Sequence, residues 1–475
     1  MLTMRITRLV RLLPGLALLL FVAAAPAQDR KVPQDRQQVM LSYAPLVKRT
    51  APAVVNIYTR RVVEQAPRSP LFSDPFFRRF FGERFSTGPR QRRVQTSLGS
   101  GVIVSPKGLL VTNHHVIQGA DEITVALTDG REFEARLVLD DERTDLAVLR
   151  IDGGGNDLPY LELRDSDDLE VGDLVLAIGN PFNVGQTVTS GIISALARTD
   201  VGISDFQFFI QTDADINPGN SGGALVSMDG RLAGVNTAIF SRSGGSHGIG
   251  FAIPANMVRA VIRSAAEGLN YVQRPWLGAA TQKLTAAIAD SMGLDRPNGV
   301  LVRGVYPQGP AERAGLQVGD VIVQVDGRAV NTPEALQFRL GTQPIGGSAR
   351  LQVWRQGRAF DTALALIRAP EEPPRNTTLL RGPHPLAGAT VANLSPAVAE
   401  ELGLGSSPAG VVVLDVAERS PAWRLRLRAG DRIVRINGVD ADRVATLSGV
   451  LGRGREAWDI TVQRGEEVTT VRIRT

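Results

Sequence analysis

Ser221 stands in the segment Gly219-Asn220-Ser221-Gly222-Gly223. A serine hydroxyl is a weak nucleophile near neutral pH. It attacks a carbonyl only when a neighbouring base takes its proton and a carboxylate holds that base in the right tautomer. Both residue types occur upstream. His114 and His115 follow Thr112-Asn113 after the apolar run Leu109, Leu110, Val111, and Asp145 opens the run Leu146 to Leu149. This set can do acyl transfer: attack by Ser221, proton uptake and return by a histidine, and stabilisation of the imidazolium by Asp145. Gly219 lets the backbone turn so that the amides of Gly219 and Ser221, with Asn220 between them, aim at the developing oxyanion. One such donor is worth about 100- to 1000-fold in rate. On residue type alone either histidine can be the base. Paired histidines also suit a metal, but the chain has no cysteine, no H-E-x-x-H and no third histidine nearby, so neither metal nor cofactor is expected.

Two kinds of scaffold could position such a serine. A nucleophile elbow needs a strand running into the serine, a helix after it, and the order Ser, Asp or Glu, His. Here Asn217-Pro218-Gly219 precedes Ser221 and Gly222-Gly223-Ala224-Leu225-Val226 leads into a strand, so the serine sits in a loop. Only His247 and His384 follow it, the latter in a proline-rich linker. The order His, Asp, Ser is that of chymotrypsin-type proteases.

With these motifs stand Gly99-Ser100-Gly101-Val102-Ile103, Gly179-Asn180-Pro181-Phe182, Thr189-Ser190-Gly191-Ile192-Ile193-Ser194, Gln211-Thr212-Asp213-Ala214 and Gly248-Ile249-Gly250-Phe251-Ala252-Ile253-Pro254. In this order they resemble the Deg/HtrA family of periplasmic serine proteases across nearly all of residues 98–256. The resemblance implies a mainly β fold, with two packed six-stranded barrels and the triad in the cleft between them. The family motif places its histidine directly before the valine, which selects His115. The implied triad is His115, Asp145 and Ser221, with an oxyanion hole at Gly219, Asn220 and Ser221. Asp215 lies six residues before Ser221, where digestive trypsins hold an acid for basic substrates; the resemblance instead implies small aliphatic residues before the cut, leaving Asp215 solvated or capping a loop.

The second half of the chain contains a repeat. Gly299-Val300-Leu301-Val302 to Asp326-Gly327 recurs as Gly410-Val411-Val412-Val413 to Asn437-Gly438 at a constant offset of 111 residues. That period is too long for a solenoid and means two domain copies, each with alternating apolar residues and a tight-turn dipeptide. The copies resemble PDZ domains: Pro310, Ala311, Ala314, Gly315, Leu316, Gly319, Asp320 and Ile322 fit P-A-x-x-A-G-L-x-x-G-D-x-I. The second copy departs, with Leu425 and Arg426 in place of Ala314 and Gly315. Such domains add a peptide as a strand to a sheet edge and hold its carboxylate with loop amides. Trp276, Leu277, Gly278 and Ala279 fit the carboxylate loop in the first copy; Leu386-Ala387-Gly388-Ala389 is the poorer candidate in the second. Both segments could also be no more than packed first strands.

The start of the chain reads as an export signal over residues 1–27: Arg5, Arg8 and Arg11, an apolar run from Leu12 to Ala24, then Ala25-Pro26-Ala27. The alternative is an uncleaved anchor. The 475 residues carry a net charge of +5, and loss of the three leader arginines leaves +2; the cations are scattered and no nucleic-acid partner is expected. Between Arg60 and Ser97, Phe72, Phe76, Phe77, Phe80, Phe81 and Phe85 cluster with Arg78, Arg79 and Arg84. This stretch reads either as a surface insertion or, on the resemblance, as a loop that reaches a neighbouring subunit and holds an inactive hexamer.

The expected organisation is therefore a protease domain over 28–268 with an inserted loop at 60–97, a first PDZ-like α+β domain over 270–368, a linker at 369–382 and a second PDZ-like domain over 383–475. The resemblance implies an ATP-independent endopeptidase of periplasmic quality control that degrades unfolded or misfolded polypeptides and binds their C-terminal peptides. It implies homotrimers that assemble to hexamers or larger, with contact at a membrane surface left open but no integral insertion. The rival is a chaperone or scaffold that holds unfolded chains through the PDZ-like grooves, with latent proteolysis.

Overall fold

The computed structural model describes residues 42–63, 93–180 apart from 154 and 156, 185–199, 208–239 apart from 218, 248–404 apart from 270, and 410–474 apart from 456 and 466. The expected leader, the phenylalanine cluster and His247 lie outside the described residues. Of the stretch up to Pro45, residues 42–45 are described, and they open a helix, Ala44–Thr50.

Seven strands form the first sheet: β1 (Val54–Val63), β2 (Arg93–Ile103), β3 (Leu109–Thr112), β4 (Glu122–Ala126), β5 (Glu132–Glu134), β6 (Arg136–Asp141) and β7 (Leu146–Arg150), in the order β5-β4-β1-β2-β3-β7-β6. Period-two alternation splits these strands between two cores. Leu110 and Leu149 join Val55, Ile57, Ile103 and Val125 inside the sheet, while Val111 and Val148 point the other way into a larger cluster. Strand β7 is buried on both faces, which is why Leu146 to Leu149 is an unbroken apolar run. The resemblance implies six strands here. There are seven because one is bent. Strands β5 and β6 are separated by Ala135 alone, whose amide donates to the Ile123 carbonyl (2.9 Å). These two halves of one bent segment are the two edges of the sheet, which is therefore curled.

The second half of the protease-like region is a closed barrel of β8 (Leu174–Gly179), β9 (Thr187–Arg198), β10 (Phe209–Thr212), β11 (Ala224–Ser227), β12 (Leu232–Ile239) and β13 (Gly250–Pro254), ordered β10-β13-β12-β11-β8-β9. Val175, Ala177, Ile193, Ile210, Leu225, Ala233 and Ala252 fill it. Their opposite faces, through Leu176, Ile178, Val226 and Val235, share one cluster with Val111 and Val148 of the first sheet. A fully buried aliphatic side chain contributes about 1.5–3 kcal/mol. In a chain without cysteine, these cores carry the stability that disulfides supply to small secreted domains.

The helix Ala255–Ala266 follows, burying Met257, Val258, Val261 and Ala265 along one face. Beyond it lie two sheets of like build. The first has β14 (Ala279–Lys283), β15 (Val300–Val305), β16 (Val321–Val325), β17 (Arg328–Ala329), β18 (Ser348–Arg355) and β19 (Arg358–Ala365), with β14 at one edge. Phe338 of this unit stacks on Phe208 of the barrel region at 3.9 Å, and Arg339 pairs with Asp167. The second has β20 (Thr378–Leu379), β21 (Ala389–Asn393), β22 (Val411–Val416), β23 (Arg432–Ile436), β24 (Val439–Asp440), β25 (Ala457–Arg464) and β26 (Glu467–Arg474).

The repeat is carried by the same devices in both units. Arg355 grips Asp320 (2.6 and 2.7 Å) and the Gly315 carbonyl (2.7 Å), and Arg464 grips Asp431 (2.7 Å, twice) and the Arg426 carbonyl (2.9 Å). Arg426 takes the left-handed conformation of Gly315, with φ +59° against +76°. The second copy thus keeps the helix-ending geometry at the strain cost an L side chain incurs there.

Candidate active site

Asp145 is placed by backbone geometry before its side chain acts. It ends a 3-10 turn, Glu142–Thr144, in the left-handed region at φ 55°. That turn swings its carboxylate toward His115, which lies in the short helix His114–Ile117 after β3. His115 Nδ1 is 2.9 and 2.8 Å from the two Asp145 oxygens, and the His115 amide donates to Oδ1 (3.1 Å). Asn113 locks the turn from behind, its Nδ2 donating to the Asp145 carbonyl (2.9 Å). Burial pushes the Asp145 carboxyl upward, but the charge and hydrogen bonds of His115 and a hydroxyl from Thr237 together hold it below the usual carboxylate range.

Thr237 is a site residue that the sequence did not reveal. Its Oγ1 donates to Asp145 Oδ2 (2.5 Å), and its carbonyl accepts the Ser221 hydroxyl (3.1 Å). It lies at a register shift in β12, where Asn236 pairs with Ala252 but Ala238 pairs with Phe251. Such a bulge re-aims one side chain, and nothing in the strand-like Val235-Asn236-Thr237-Ala238 marks it.

The glycines around Ser221 answer to close backbone approach. At Gly222, with φ +81°, an added Cβ would meet the Ser100 carbonyl at 2.1 Å. Gly222 donates to the Asn236 carbonyl (2.8 Å), and Ser100 donates to the Ser221 carbonyl (2.9 Å). The Ser100 hydroxyl donates to the Gly219 carbonyl (2.7 Å) and accepts from the Asn180 amide (3.0 Å). Ser100 of β2 therefore ties the Ser221 loop to the end of β8. Among the described residues the amides of Gly219 and Ser221 donate to no protein acceptor, whereas Asn220 donates to the Asn217 carbonyl (2.9 Å).

His114 is drawn away from this group. Its Nδ1 sits 2.7 Å from Asp140. Burial pushes its pKa down, but the hydrogen bond and charge of Asp140, with Asp145 and Glu142 beyond, outweigh that and raise it. Asp215 is exposed; among the described residues only its carbonyl is engaged, by Thr189 Oγ1 (2.8 Å).

The loop that carries Asp145 is held from three distant parts of the chain. Asp140 takes His114, Asp141 takes Arg274 in a buried ion pair, and Arg143 reaches the Glu400 carbonyl and, at 3.3 Å, its carboxylate on the helix Pro396–Glu401.

In the first PDZ-like unit Trp276 is buried against Tyr306 in a T-shaped contact at 5.0 Å. Gly278 has φ +71°, and a Cβ there would lie 2.8 Å from Pro310. The carbonyls of Leu277 and Gly278 accept from Ala311 (3.1 Å) and Tyr306 (2.8 Å), while among the described residues their amides donate to no acceptor. Ala279 begins β14. In the second unit the equivalent amides are engaged: Ala387 donates to His384, Gly388 to Leu380 and Ala389 to Leu386.

Comparison with known proteins gives the arrangement its family. Residues 99–235 match the trypsin-like peptidase domain, and residues 301–355 and 385–475 each match the PDZ domain. The periplasmic serine endoprotease DegP of Salmonella typhimurium is 36% identical over 95% of this chain and 96% of its own. A probable periplasmic serine endoprotease, DegP-like, of Halomonas elongata is 39% identical over 91% of each chain. Among solved structures, the HtrA-type protease AlgW with decapeptide is 48% identical, with a TM-score of 0.52, over 70% of this chain and 99% of that one. The chain belongs to the DegP/HtrA family of trypsin-like serine endoproteases that carry two PDZ domains.

Proposed function

We propose that His115, Asp145 and Ser221 are the catalytic triad of this endoprotease, with the amides of Gly219 and Ser221, and Asn220 between them, forming the oxyanion hole. One observation carries this reading: both Asp145 oxygens lie within 2.9 Å of His115 Nδ1. That contact fixes the tautomer which leaves Nε2 unprotonated to act as base. The Ser221 hydroxyl exchanges the Thr237 carbonyl for the imidazole, gives up its proton and attacks the scissile carbonyl. The oxyanion takes the two unoccupied amides, His115 returns the proton to the departing amine, and water repeats the cycle on the acyl-enzyme.

The enzyme works in periplasmic quality control, entering by cleavage after Ala27 and degrading unfolded or misfolded chains as trimers or larger assemblies. The names of its relatives and the leader-like sequence support that location. The first PDZ-like unit captures C-terminal peptides through Trp276, Leu277, Gly278 and Ala279. Residues 28–268, 270–368 and 383–475 are the three domains, joined by 369–382, whose residues Thr378 and Leu379 pair into the second PDZ-like sheet, and the three family matches fall inside the domains.

Degradation of reduced, unfolded casein by the mature chain tests the reading. Wild type should cleave, and Ser221→Ala and His115→Ala should each lose about a million-fold in kcat. An inert wild type that suppresses aggregation as well as Ser221→Ala does would put the chaperone reading first.

A further inference from the structure

The two PDZ-like units differ at the edge where a peptide would add. In the first, β14 is the end of its sheet and pairs outward with no strand among the described residues. In the second, the corresponding β21 is covered by the chain itself. Thr378 faces Val391 and Leu379 faces Thr390, antiparallel. The Leu380 amide donates to Ala389 (2.9 Å), and the Gly388 amide donates to the Leu380 carbonyl (2.9 Å). At the other end of β21, Asn393 donates from its amide to Arg375 and from its side chain to Pro374, both at 2.7 Å. Leu380 is 4% exposed and shares one apolar cluster with Val391 and with Leu447 and Val450 of the helix Val444–Leu451.

We infer that Thr378–Leu380 fills, within the chain, a second strand-addition site whose ligand class is an extended peptide with an aliphatic residue at its end. Direction and register both support this. The segment runs antiparallel to β21 toward the Gly388 loop, and the Gly388 amide meets the Leu380 carbonyl where a terminal carboxylate would lie. The Leu380 side chain occupies the pocket that a terminal aliphatic residue would take. A tethered strand acts at an effective concentration on the order of millimolar. A free peptide therefore binds this site only in proportion to the fraction of chains whose strap is open. The inference rests on the proposal that PDZ-like units of this chain capture peptides.

The test is a binding-stoichiometry titration on the full chain carrying Ser221→Ala, with a dansyl peptide ending in Thr-Thr-Leu-Leu and a free carboxylate. Leu380→Asp expels the strap from its apolar pocket and should raise stoichiometry by one peptide per chain. Leu380→Ala, the milder change, should give the same gain and serves if the charged variant misfolds. The chain has no cysteine, so Leu379→Cys with Thr390→Cys in the Leu380→Ala background gives a single disulfide that should cancel the gain on oxidation. Equal stoichiometry with intact and disrupted strap overturns the inference. Gly278→Val separates the two claims: it should remove one site from the intact-strap chain, and if it removes none the capture reading for the first unit fails, while the strap is judged on the gain alone.

Discussion

Thr237 bridges the proposed base-orienting carboxylate and the nucleophile, so replacing it probes the site without touching a member of the triad. Thr237→Val keeps the β-branch and the volume and removes the hydroxyl. The lost bond is 2.5 Å long and ends on a carboxylate that is 10% exposed. A hydrogen bond to a charged group contributes about 1.5–3 kcal/mol. Asp145 keeps the ring and amide of His115 as donors, which puts the loss at the low end, about 1.5 kcal/mol. At 1.36 kcal/mol per tenfold, kcat should fall by about tenfold. KM should hold, because the carboxylate matters most when the imidazolium forms. The pH dependence has a definite sign. The Asp145 carboxyl is held low, so its ionised form persists above that value and is lost as pH falls through it. Removing a donor raises that value, so the stability that the ionised carboxylate contributes should be lost at higher pH in Thr237→Val than in wild type. Initial rates on a fluorogenic peptide with valine before the cut give kcat and KM, and an acid-unfolding titration downward from about pH 5 gives the shift. Thr237→Ser should stay within about twofold of wild type. A Thr237→Val enzyme that also stays within twofold, with an unmoved acid-unfolding midpoint, refutes the reasoning.

Arg143→Ala frees the aspartate loop from Glu400 and should lower kcat severalfold, well under the roughly 100-fold that a 1 Å misplacement costs. The exchange Arg143→Glu with Glu400→Arg should restore part of the loss in the same peptide assay, and no change in kcat for Arg143→Ala would remove this contact from the account. The His114–Asp140 pair gives a separate pH dependence. A histidine pKa raised by folding contributes stability that is full below about 6.5 and is lost as pH rises through the raised value. Asp140→Asn should therefore lower the thermal midpoint at pH 6 by about 2 °C, and the gap should close by pH 9. Calorimetry at the two pH values checks this, and an equal gap at both would show that the pair acts through shape rather than charge.

How much of this could be read from residue types follows from what each feature depends on. Ser221, His115 and Asp145 stand in short segments of conspicuous residue type, and glycine is demanded wherever backbones nearly touch, as at Gly222. These leave marks in sequence. The mainly β fold was implied by the resemblance that the ordered motifs carry, and the two PDZ-like units by a constant offset that β15 and β16 keep with β22 and β23. Thr237 was not legible, because a bulge rather than a motif aims it. The bend at Ala135 was hidden for a like reason, since no glycine or proline marks it between Glu132 and Asp141. Arg426 departs from the motif of the first copy, yet the backbone there bends as it does at Gly315. The strap escaped notice because two paired residues are too few to set up a period, and its partner lies eleven to thirteen residues on.

The distribution of the site along the chain bears on when the molecule becomes dangerous. His115 and Asp145 come from the curled sheet, the nucleophile loop is tied to Ser100 of β2 and to the end of β8, and the hydroxyl that braces Asp145 comes from β12. A chain made from its N-terminus thus reaches full assembly of the site only after residue 237 has been added and the barrel has closed on the sheet. During synthesis the protein carries the parts of a protease in an order that keeps them harmless. The risk of self-digestion begins at the moment the fold is complete enough to resist it.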